Sequence, residues 1–185
     1  MSDFSDKIWW TRKAKIKSER RLLNLDYYSQ FLLLWYSSFL VCYSIYTLVK
    51  PAGNDKESVV MVALSVLILV ITLFINNMNF KGRALLIKQC YEKLSVIYTS
   101  SRNNGDDIVL DKDYQAILGS SENHLERDFI KAIVDENSNT TNKNLLTKRP
   151  TFWHKILVWF YITRNVIIFI SLFIFPLIIL YALRA

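Results

Sequence analysis

Three stretches of this chain carry no charged residue for long enough to cross a lipid bilayer, and that constrains its fold more than any other feature. Residues 27–49 and 58–80 are each 23 residues long, and residues 165–183 are 19. As helices rising about 1.5 Å per residue they reach roughly 28 Å or more, against a hydrocarbon core of about 30 Å. Only four glycines and three prolines interrupt a 185-residue chain that is 52% hydrophobic, a balance that points to helices in lipid. The third block holds fourteen Leu, Ile, Phe or Val, each favouring insertion by about 0.3–0.6 kcal/mol at the membrane centre. A window begun at Ile156 would bury Arg164 at a cost of about 3 kcal/mol. The third span is therefore set at 164–183, with the arginine at its edge.

The first block is read as a permanent span. It follows a polar leader of 26 residues, exceeds the usual length of a signal-peptide core, and has no small-x-small cleavage site before Lys50 and Pro51. Basic residues in the short flanks set the expected direction. Lys7, Arg12, Lys13, Lys15, Lys17, Arg20 and Arg21 precede the first span, whereas the connector offers Lys50 and Lys56 offset by Asp55 and Glu57. The N-terminus is thus expected inside, the connector outside and the C-terminus outside. The net charge of +7 is explained as a topology signal and attraction to anionic lipid, and no direct nucleic-acid binding is expected.

The domain organisation that follows is all-α: an integral membrane protein with three transmembrane helices and a cytoplasmic helical region between spans two and three. Residues 1–26 form a basic amphipathic helix, 27–49 the first span, 50–57 the outer connector and 58–80 the second span. Residues 81–135 form the cytoplasmic helical region, 136–163 a linker and interfacial segment, and 164–183 the third span. In the leading helix Trp9, Ile16 and Leu23 share one side, while Lys13, Lys17, Arg20 and Arg21 are candidate membrane-surface residues on another. This helix either lies at the inner surface or continues the first span and packs on a neighbour.

Beyond the second span no Gly or Pro intervenes, and Ala84, Ile87, Tyr91, Leu94 and Tyr98 recur at spacings of three and four. One helix is expected from about residue 59 to 100, burying that stripe on this chain or on a second subunit, and ending near Asn104 and Gly105. Short helices are expected at 114–118 and 121–135, the second capped by Ser121 and presenting Leu125, Phe129, Ala132 and Ile133. The Asn- and Thr-rich run 136–147 reads as a mobile linker. After it, Phe152, Trp153, Trp159, Phe160 and Tyr161 have headgroup-level composition, and Pro176 is a candidate kink in the third span.

The chain is poor in the residues of catalysis. It holds two histidines 30 residues apart and no Gly-rich phosphate loop, CxxC pair or HExxH helix. Catalytic, metal and cofactor sites are therefore not expected, and Cys42 and Cys90 are not expected to form a disulfide. Polar residues at helical repeat within the spans carry more functional information. Gln30, Ser37, Ser44 and Thr47 line one face of the first span, and Ser58, Ser65, Thr72, Asn76 and Asn79 one face of the second. Such faces serve either as helix seams, where Ser, Thr and Asn bond between spans, or as the lining of a pore made by several copies. Span three, almost wholly apolar, is expected to face lipid.

This layout resembles the SLATT family of prokaryotic membrane effectors, in particular its branch with a third, C-terminal span. The resemblance covers nearly the whole chain: a basic N-terminal helix, a tight pair of spans, an inner helical region and a final span. Within the inner region Tyr114, Leu118, Asn123, His124 and Asp128 look like that branch's Tyr…Leu…Asn-His…Asp stretch. The resemblance implies an anti-phage role of the abortive-infection type in the prokaryotic inner membrane. There a neighbouring-gene enzyme, such as a reverse transcriptase or nucleotidyltransferase, triggers homo-oligomeric subunits to permeabilise and depolarise the membrane. The alternative is a membrane anchor or scaffold that recruits a soluble partner through its cytoplasmic helices without conduction. A lipid-acting enzyme built on His124 or Arg164 ranks a distant third.

Overall fold

In a computed structural model of the chain, residues 3–49, 55–103 and 107–184 are described. The described chain is all-α. Its elements are α1 (Asp3–Val49), α2 (Asp55–Asn77), α3 (Phe80–Arg102), α4 (Asp107–Gly119), α5 (Glu126–Asn139), a 3-10 turn (Lys143–Leu145) and α6 (Phe152–Arg184). Three helical stretches, within residues 4–49, 57–102 and 152–182, are long and apolar enough to cross a membrane. Only 6%, 0% and 6% of their most apolar windows are buried by the chain itself. Nearly all of that surface must meet lipid or other protein, because apolar area left in water costs about 25 cal/mol per Å². Residues 50–54 of the expected connector and the Asn104-Gly105 turn lie outside the described residues.

The chain divides into two compact units, one of Met1–Asn24 and Phe80–Ile162, the other of Leu25–Asn79 and Thr163–Ala185. In the first unit α1 contributes Ile8 to a core with Cys90, Leu94 and Ile97 of α3 and Tyr114 of α4. Leu22 of α1 meets Ala84 and Ile87 in a second cluster, flanked by Phe80 and Tyr91. Ala84, Ile87 and Leu94 of the heptad-like stripe are thus buried against other parts of the same chain, with Tyr91 and Tyr98 partly buried beside them. α1 is one uninterrupted helix, and its leading part packs on α3 and α4.

The buried side of α1 differs from the expected one. Ser5, Ile8, Ala14, Lys15, Ser18 and Leu22 are buried, whereas Leu23 is exposed. Ile8, Lys15 and Leu22 are seven apart, so the inward stripe sits one residue away from Trp9, Ile16 and Leu23. A lysine at its centre disguises it, since lysine ordinarily marks the solvent side.

Three further differences have local causes. The helix expected from 59 to 100 is interrupted: the Met78 amide closes a turn on Phe74 and Ile75, and Asn79 has φ 44°. Asparagine tolerates this left-handed conformation, so no glycine or proline was needed to break the helix. α5 begins at Glu126, not near Ser121, because Asp128 Oδ2 accepts the Leu125 amide at 3.1 Å and caps the first turn. The run expected to be a mobile linker is tied down. α5 extends into it, Leu146 is buried, and Trp10 Nε1 donates to Thr147 Oγ1 at 2.8 Å while that hydroxyl donates to Asp6 at 2.7 Å.

In the second unit α6 packs on α1 through aromatic rings, so the third span has a protein neighbour as well as a largely exposed apolar surface. Tyr28 meets Phe169 at 5.1 Å, and Trp35 stacks on Phe173 at 4.5 Å. Pro176 lies inside α6 and has no amide to offer the Leu172 carbonyl four residues earlier. Tyr36 Oη donates to that carbonyl at 2.7 Å, and Trp35 Nε1 donates to the Phe173 carbonyl at 3.0 Å. The seam therefore supplies donors where the proline removed one, which matters where no water is available. Tyr36→Phe is expected to destabilise the α1–α6 pairing by about 1 kcal/mol, measured by thermal unfolding in detergent.

Candidate functional site

Polar residues that α1 turns inward meet the stretch from Tyr114 to Glu136, forming a clamp inside the first unit. Tyr114 Oη and Thr11 Oγ1 share a hydrogen bond of 2.9 Å. One turn on, Lys15 is 0% exposed, and its ammonium donates to Ser121 Oγ at 3.0 Å and the Glu122 carbonyl at 2.6 Å. Burial pushes Lys15 below the ordinary lysine value, while Cys90 and Glu122 oppose that shift. Glu122 Oε2 in turn accepts two bonds from Arg83 of α3, at 2.9 and 2.6 Å.

Two turns further along α1, Arg21 Nε donates to both oxygens of Asp128, at 3.0 and 3.1 Å, and its Nη2 reaches Ser18 at 3.1 Å. Asp128 is 3% exposed. Its carboxylate thus holds a guanidinium and the first turn of α5 at once. Lys17 pairs with Asp135 at 2.6 Å and Lys13 with Glu136 at 2.7 Å. Of the four basic residues expected at the membrane surface, Lys13, Lys17 and Arg21 hold acidic partners of this chain, and Arg20 is exposed. Sequence reading placed Lys15 only in the basic flank and Ser121 only at a helix cap, and did not bring them together with Glu122. The one available signal was a lysine at the centre of the seven-residue repeat from Ile8 to Leu22.

The family-like residues fall on or beside the clamp. Tyr114 and Asp128 bond to α1, Leu118 packs against the core cluster around Ile8, and Asn123 is exposed. His124 lies beside Phe129, with ring centroids 6.0 Å apart. Its value is pushed below that of an ordinary histidine, by burial first and then by Lys15, with Asp128 opposing. Lys148 of the segment before α6 stands 4.7 Å over the Phe129 ring, a cation–π contact that closes this side of the clamp.

In the second unit the polar faces are arranged differently. Gln30, Ser37, Ser44, Ser65, Asn76 and Asn79 are exposed on the chain, and Thr47 and Thr72 are half-buried. Three hydroxyls bond back to their own helices: Thr47 to Ser44, Ser65 to Val62 and Thr72 to Ile68. The span contacts are instead the aromatic seam and a bond from Tyr43 Oη to Glu57 at 2.6 Å. An apolar cleft of about 270 Å³ opens between Tyr27, Tyr28, Phe31, Phe169, Ile170 and Phe173. Among the described residues no three His, Cys, Asp or Glu gather closely enough to share a metal ion.

A basic helix packed against the motif stretch, in a chain with three membrane-length helices, is a whole-chain pattern, and the family comparison matches at that scale. Residues 1–182 match the SMODS and SLOG-associating 2TM effector domain family 5. The chain belongs to this SLATT family. No curated protein and no solved structure matches it. The SLATT chain is accordingly a membrane effector, and its match runs through α6 as well as the two spans that the family description counts.

The buried ion pair permits a quantitative test. Removing one partner leaves an uncompensated charge in the interior, so Asp128→Ala is expected to destabilise the SLATT chain by about 3–5 kcal/mol. The double replacement Arg21→Met with Asp128→Leu should recover much of that loss, as read by denaturant unfolding in micelles.

Proposed function

We propose that this protein is a regulated effector whose copies assemble in the prokaryotic inner membrane and form a pore that depolarises it, as part of anti-phage defence of the abortive-infection type. The observation that carries the reading is the exposure of Ser37, Ser44, Ser65 and Asn76 on otherwise apolar spans. A polar face left on the outside of a span has lipid, another copy or water to meet, and lipid is the costliest of the three. Three spans are too few to enclose a channel alone, so several copies about an axis are required. The N-terminus and the first unit lie on the cytoplasmic side by the positive-inside rule. There the clamp is accessible to a neighbouring-gene enzyme such as a reverse transcriptase or nucleotidyltransferase.

α1 joins the two roles. It carries the clamp residues Thr11 to Arg21 and, without interruption, the first span. A signal that alters the clamp therefore acts on the helix that bears one polar face. The anchor or scaffold reading draws support from Ile108 and Val109, exposed at the start of α4, where a soluble partner could dock without any conduction. Reconstitution separates the two. Replacing Ser37, Ser44, Thr72 and Asn76 together by leucine should reduce ion flux across liposomes more than about tenfold for a pore lined by these faces. Unchanged flux removes them from the pore, and intact membranes under activating conditions favour the anchor.

A further inference from the structure

One ionisable side chain in the clamp is not used by its bonding. His124 lies two residues before α5, is half-buried, and has Nδ1 shielded from solvent with no hydrogen-bond partner among the described residues. The charged groups acting on it are Lys15 from α1 and Asp128 from α5. From α3, Arg83 reaches the neighbouring Glu122, and from the segment before α6, Lys148 covers the Phe129 ring beside the imidazole. Asp128 is already engaged by Arg21 and by the Leu125 amide. Among the described residues the bonds around it thus join Lys15, Arg21 and Arg83 to Glu122 and Asp128.

We propose that His124 is a proton-sensing latch: protonation adds a further cation to a cluster with two carboxylates, loosens the hold of residues 121–128 on α1, and frees the helix that carries the first span. This rests on the effector reading above and names a signal for it. Acidification is the releasing direction. A histidine whose value lies lower in the folded chain than its ordinary 6.5 costs the fold nothing well above that pH. It destabilises progressively as pH falls from there toward the folded value. A membrane made leaky to protons acidifies the cytoplasmic face, so the first openings promote the next.

The test uses the full chain in liposomes, with hydrogen exchange of α1 and dye leakage followed between pH 7.5 and 5.5. Residues 8–22 should lose protection by at least about tenfold at the lower pH, after correction for the intrinsic rate. His124→Gln should abolish that loss, and His154→Gln should leave it in place. Loosening in His124→Gln equal to that of the unmutated protein overturns the latch. An imidazole NMR titration of the unmutated protein needs no substitution: a His124 midpoint that coincides with the loss of protection supports the latch, and one displaced from it overturns it. His124-dependent loosening without leakage at either pH leaves the latch standing and removes the pore. Leakage indifferent to His124 does the reverse.

Discussion

The buried ammonium of Lys15 is the group on which the first unit depends. A charge at 0% exposure is tolerable only when its donors are satisfied, and here the satisfying groups, Ser121 Oγ and the Glu122 carbonyl, belong to the turn between α4 and α5. That turn must therefore sit against α1 whenever the lysine is inside. Arg21 with Asp128 and Lys17 with Asp135 extend the same dependence along α5. Apolar packing of Ile8 and Leu22 against α3 is less selective, since many hydrophobic surfaces would accept them. The polar bonds specify which stretch of chain lies where.

The membrane-length helices obey a different rule. With no water in the hydrocarbon, contacts between spans are chosen by packing and by the few polar groups that must be satisfied. α1 and α6 meet through rings, and Tyr36 and Trp35 donate to the carbonyls of Leu172 and Phe173, just ahead of Pro176. Most of the hydroxyl and amide faces of spans one and two stay outside this seam. That separation of an aromatic intrachain contact from an outward polar face supports a second use for the polar face, which in the proposed function is the lumen between copies.

Membership of the SLATT family and the clamp geometry bear on the same question from two sides. The family description makes the chain a membrane effector, and under the function proposed above, in which it disables a membrane, it must be held inactive until it is called for. Tyr114 and Asp128, the family-like residues that touch α1, bond to Thr11 and Arg21. His124 sits among them with an unused nitrogen. In the proposed latch, ion pairs and one histidine make the hold on α1 sensitive to charge, whether from a partner or from protons.

The number of long apolar helices, the all-α class and the apolar stripe of α3 were legible in the amino-acid order. Each depends on local properties: a charge-free run of sufficient length, or a three- and four-residue spacing, has the same meaning whatever surrounds it. The inward face of α1 was not legible, because a lysine there is acceptable only through groups more than 100 residues away. Nor were the break at Asn79, where an asparagine adopted a conformation that many residue types avoid, or the docking of Leu146 and Thr147 in a run whose composition reads as linker. The sequence by itself determined that this chain forms long helices able to enter a membrane. Tertiary structure alone decided which polar residues face inward to hold α1 and which remain outside, because the cost of burying a charge is set by the partner it finds there.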